Sequence, residues 1–80
     1  MASKQNTFIN TLADLSLEWQ RLPHHGYQGF KEVRGHQRFG QYVMNTGRLD
    51  LPNPWPELFY AETYRVAYAL LYLHGLQIND

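Results

Sequence analysis

Four prolines divide this chain more firmly than any other feature. Pro23 stands alone, whereas Pro52, Pro54 and Pro56 alternate along one short segment. Proline has no N–H to donate and holds φ near about −65°, so no helix interior or central strand can include these positions. Regular structure is therefore confined to three stretches: before Pro23, between Pro23 and Pro52, and from Pro56 onward, where proline suits the first turn of a helix. With 80 residues and no cysteine, the chain has room for one small domain, 1–80, and no disulfide or thiolate site to supplement its core. A domain this small is marginal unless well packed or completed by a partner.

Each stretch has its own periodicity. Phe8, Leu12, Leu15, Trp19 and Leu22 recur at steps of four and three, which predicts an amphipathic helix over 6–22 with Asn6 or Thr7 as cap. "PHHGYQGF" reads as a loop. "HQRFGQYVMNTG" predicts a second helix over 36–46, stopped by Gly47, with Gly40 marking a close approach to another element. Its rival is a hairpin within 30–43, with "KEV" and "FGQYV" as strands turning near Gly35. Residues 49–56 read as a stiff, ordered connection. A third helix is expected over 56–74, with Gly75 and Leu76 forming its end. The expected fold is all-α, with three helices.

The third helix raises the main functional question. On a helical wheel Phe59, Val66, Leu70 and Leu73 form an ordinary core stripe. Tyr60, Tyr64, Tyr68 and Tyr72 form a second, slanted band on the other side, with Leu71 inside it. A helix apolar on nearly all sides is either central to its domain or covered by another molecule. Tyrosine serves both ends, since its ring buries area while its hydroxyl reaches water or a partner. The ladder is accordingly a candidate for core and also for an interface with another protein or a second copy, giving a homodimer.

Net charge is zero, but its distribution is uneven. Between Arg21 and Arg48 five cations face one anion, and elsewhere six anions face two cations. Lys31, Arg34, Arg38 and Arg48, interleaved with Tyr27, Phe30, Phe39 and Tyr42, form the one hint of nucleic-acid contact, without any recognition motif. Arg38, Gln41 and Asn45 share one face of the second helix. They can fork onto a partner's carboxylate or backbone, or clamp the proline loop or helix ends internally. His24 and His25 lack the spacing of metal ligands. No nucleophile elbow, phosphate loop or carboxylate pair is present, so neither enzymatic activity nor a cofactor is expected. The apolar run Val66–Leu73 is too short to span a membrane, and the start lacks a secretory pattern, so the cytoplasm is the expected location.

At "RFGQYVMNTG" and "PNPWPELFYAE" the chain resembles small uncharacterised proteins of bacteriophages, prophages and plasmids. These share an Arg-x-Gly-Gln-x-x-x-Asn segment followed by Pro-x-x-Phe-Tyr. Here the matching residues are Arg38, Gly40, Gln41 and Asn45, then Pro56, Phe59 and Tyr60. The resemblance implies an accessory gene of a mobile element, and proteins of this kind often bind and inhibit a host protein, defence complexes included. The expected role is a non-enzymatic binder of a bacterial host protein, with Arg38, Gln41, Asn45, Tyr60, Tyr64, Tyr68 and Tyr72 as contact residues. Nucleic-acid binding through the basic middle is the alternative.

Overall fold

A computed structural model describes residues 3–28 and 31–79; for 24–28 and 31 it describes the backbone alone. The fold is predominantly helical. Its order is α1 (Lys4–Gln20), β1 (His24–Gln28), β2 (Lys31–Arg34), α2 (Phe39–Thr46), α3 (Pro56–Phe59) and α4 (Tyr64–Leu76). α1 begins two residues earlier than its periodicity implies, because Ser3 rather than Asn6 or Thr7 caps it. The Ser3 hydroxyl accepts from the Asn6 N–H at 3.0 Å. Its helical run ends at Gln20, ahead of Pro23.

Both readings of the middle segment need correction. "FGQYV" is helical, as the periodicity predicts, but the helix starts at Phe39 because Arg38 is extended. "KEVR" is a strand, as in the rival reading, yet it pairs upstream with "HHGYQ", antiparallel, with Tyr27 opposite Glu32. The segment read as a loop is thus half of a two-stranded hairpin. Gly35 and His36, both at positive φ, turn the chain from β2 toward α2. Gly47 takes the left-handed conformation at the end of α2, as expected.

The expected helix 56–74 is two helices. Pro56 opens α3, but the chain leaves helical geometry at Tyr60 and re-enters it at Tyr64. Thr63 causes the restart: it is extended, and its hydroxyl accepts from the Val66 N–H at 3.3 Å. Threonine's hydroxyl competes for backbone groups in this way and favours caps over helix interiors. A second cap comes from β2, where the Glu32 carboxylate accepts from the Tyr64 N–H at 3.0 Å. The Glu32 N–H also donates to the Glu62 carbonyl at 2.6 Å, tying the hairpin to the break. At the other end Gly75 is no stop signal, since α4 continues to Leu76. A Cβ on Gly75 would lie 2.7 Å from the Phe8 ring, so glycine is needed there for α1 to approach.

The break also shifts which face of α4 is buried. Ala67, Leu71 and Gly75 face the core, while Val66 and Leu73, assigned to the core by the wheel, are 52% and 58% exposed. Leu71, expected at an interface, is fully buried. α1 and α4 run antiparallel, Gln5 meeting the Leu76 carbonyl and Ser16 meeting Tyr64. Phe8, Leu12, Leu15 and Trp19 of α1 pack with Phe39, Val43 and Leu58 in the same cluster.

α2 approaches α3 closely at Gly40. A Cβ on Gly40 would lie 1.9 Å from the Leu58 carbonyl oxygen, a distance no side chain tolerates. That oxygen also accepts from the Ala61 N–H at 3.2 Å as α3 closes. We predict that Gly40→Ala costs about 3 kcal/mol or more, because backbone rather than a mobile side chain must move. In a domain of this size that is a fall of about 12–24 °C in melting temperature, measurable by circular dichroism. Gly47→Ala, strained at φ 66° but with open space around it, should cost about 1–2 kcal/mol.

Candidate functional site

The tyrosine ladder is a path from the core to the surface. Its inner end is Trp19, fully buried, whose indole N–H donates to the Gln37 carbonyl at 3.1 Å. Tyr64 stacks on Trp19 at 5.8 Å with an interplanar angle of 8°, and Phe39 closes the cluster. The Tyr64 hydroxyl lies 2.5 Å from that of Ser16, a buried polar group on α1 which also accepts from Gln20. Tyr68 follows at 5.6 Å from Tyr64, half-buried. Tyr72 stacks on Tyr68 at 6.2 Å and is exposed. Tyr64 is therefore half-buried against the core, and Tyr72 is surface. Tyr60 lies outside the ladder, in the break between α3 and α4, and is 63% exposed.

The break places Tyr60 against α2. The Arg38 guanidinium lies over its ring, 5.6 Å from the centroid. Beside this pair is an apolar recess of about 240 Å³ lined by Met44, Asn53, Pro54, Trp55, Pro56 and Phe59 together with Tyr60. Tyr60 also meets Phe59 edge-on at 5.1 Å. The two sequence segments, Arg38–Asn45 and Pro56–Tyr60, thus form one corner with Gly40 at its hinge. This juxtaposition was not visible in the sequence, where the segments are separated by the proline loop.

Arg38, Gln41 and Asn45 do not act as one fork. Gln41 is engaged locally, its side-chain oxygen accepting from the Arg38 N–H at 3.0 Å and capping α2. Asn45 is exposed and borders a different, shallow groove with Leu22, Gly35 and Tyr42. Only Arg38 reaches the aromatic corner.

Two cations of the basic middle segment, Arg34 and Arg48, make contacts within the chain. Arg34 donates to the Gln20 carbonyl at 3.2 Å, at the negative end of α1, and lies over Trp19 at 5.6 Å. Its Nε is buried without a partner among the described residues. Arg48 pairs with Glu18 across the surface. The side chains of Lys31, His24, His25 and Tyr27, and all of Phe30, lie outside the described residues. A wider cleft of about 450 Å³, bounded by Lys4, Phe8, Arg48, Asp50, His74 and Ile78, carries charges of both signs. His74 packs there between Phe8 at 5.6 Å and Trp55 at 5.3 Å.

No family model, no curated protein and no solved structure matches the chain. Among the described residues no helix is long and apolar enough to cross a membrane.

Two measurements check the ladder. Ser16→Ala, which removes the inner hydroxyl partner of Tyr64, should cost about 1–2 kcal/mol in urea unfolding. Burial, with smaller contributions from Tyr64 and Tyr72, raises the Tyr68 phenol above its ordinary 10.0. The folded state then holds this proton more tightly than the unfolded state, so the contribution is whole below pH 10.0 and lost as pH rises through the folded value. Melting temperatures between about pH 9 and 12 should fall less steeply for Tyr68→Phe than for the wild type.

Proposed function

We propose that this chain is a non-enzymatic protein-binding module that docks on a bacterial protein through the Arg38–Tyr60 corner and modulates or inhibits it. The observation that carries this reading is the exposed Tyr60 ring, held under a guanidinium beside an apolar recess. Tyrosine and arginine are among the residues in which interfaces concentrate their energy, and such anchors work best when preset next to a pocket. Here Arg38 limits the motion of the ring before any partner arrives, which lowers the ordering entropy of docking. A partner of matching chemistry offers an apolar side chain for the recess and a carboxylate or carbonyl for Arg38.

The resemblance to phage and plasmid accessory proteins supplies the expected setting, a bacterial cytoplasm in which a host protein is the target. Nucleic acid is the less favoured partner. Of its four candidate cations, Arg34 already faces a carbonyl and an indole and Arg48 a carboxylate.

The test is affinity capture from bacterial lysate with the wild type and two variants, followed by mass spectrometry and titration of the captured protein. Tyr60→Ser should weaken binding at least about 30-fold, the scale of a hot-spot residue. Its melting temperature should stay within about 3 °C of wild type, because the ring is mostly in solvent. Arg38→Ala should weaken binding in the same direction. Undiminished capture by Tyr60→Ser would move the docking surface elsewhere.

A further inference from the structure

α4 carries a second apolar face, opposite the one that packs on its own domain. Val66, Ala69, Leu73 and Leu76 are all exposed and follow one another at steps of three, four and three. That is the spacing of a helix–helix seam. Ala67, Leu71 and Gly75, which face the core, lie on the other side of the same helix. Leu70 and Tyr72 flank the seam in its middle, and Arg65 and Gln77 flank its two ends.

We propose that this face pairs with the same face of a second copy, α4 against α4 in antiparallel orientation about a two-fold axis at the level of Leu71. The sequence of the seam is complementary to its own reverse. Val66 falls opposite the partner's Leu76, and Ala69 falls opposite the partner's Leu73. The central layers thus set a small residue against a large one, the arrangement that fills space between two helices. A parallel pair would set Ala69 against Ala69 and leave a gap. Charge favours the same orientation: Arg65, near the amino end of α4, comes beside the carbonyl end of the partner helix, where a cation is stabilising. The chain's net charge of zero removes long-range repulsion between copies.

Area sets the size of the contact. With Val66, Leu73, Leu76 and Tyr72 between 40% and 58% exposed, each copy contributes an apolar patch of roughly 400 Å². Two copies with their polar rim bury on the order of 1,000 Å², the lower bound of a specific interface, so the pairing is expected to be weak and concentration-dependent. This surface is separate from the Arg38–Tyr60 corner, so the dimer does not depend on the host-protein reading and leaves that corner free. It also differs from an interface built on Tyr64 and Leu71, both engaged inside the fold.

Sedimentation equilibrium of the full chain from about 5 μM to 1 mM tests the pairing by mass action. The mass should rise from 9.4 kDa toward twice that value. Leu73→Glu and Ala69→Lys should each remain at 9.4 kDa across the range, with helical circular dichroism like the wild type. An equimolar mixture of the two variants should regain the dimer, because the introduced charges are opposite in sign and face each other across the seam only in antiparallel pairing. A wild type fixed at 9.4 kDa overturns the proposal and leaves the face to a different protein or to solvent. A dimer that survives Leu73→Glu places the contact elsewhere, and failure of the mixture to associate overturns the antiparallel order.

Discussion

The approach of Gly40 to the Leu58 carbonyl governs the arrangement around it. With no Cβ at residue 40, α2 lies directly on the backbone of α3. α3 can then close over Leu58 and turn out of helical geometry at Tyr60. That turn carries the phenol ring beneath Arg38 and allows α4 to start afresh at Thr63 with a different face inward. A methyl group at one position would therefore be felt at the packing of two helices and at the aromatic corner together.

Much of the helical framework was legible in the residues, because it depends on local signals. The α1 stripe, the left-handed Gly47 and the opening proline of α3 all follow from spacing and backbone preference. Gly40 was legible too, as a glycine inside a helix that needed a packing reason. The hairpin was legible only in its second strand, "KEV", and not in the partner of that strand. β1 is rich in histidine, glycine and glutamine, so neither alternation nor β-branched side chains mark it.

The break at Tyr60–Thr63 escaped for a different reason. Within it only Glu62 and Thr63 interrupt the apolar pattern, and threonine is only a mild deterrent to a helix. The Thr63 cap is joined by a tertiary one: the Glu32 carboxylate, on a strand thirty-two residues upstream of Tyr64, accepts from the Tyr64 N–H, which no local pattern reveals. Once the helix restarts, the phase of α4 no longer follows from Phe59: Leu71 turns inward and Val66 and Leu73 outward, while Leu70 still packs against the core and Tyr72 stays at the surface. Half of the candidate corner was thus visible as chemistry, in Arg38 and Tyr60, but their meeting was not.

The Glu32 cap has a consequence for how the chain reaches this fold. Helical domains usually fold rapidly because their contacts are local. Here the start of α4 is completed by Glu32, its first ring is held by Ser16, and its last turn meets Gln5. Each of these contacts closes a loop much longer than a helical turn, and loop closure must precede the reward. α4 should therefore acquire its final boundaries only as α1 and the hairpin dock, so that the order of assembly is dictated by sequence separation more than by the intrinsic helicity of any one segment.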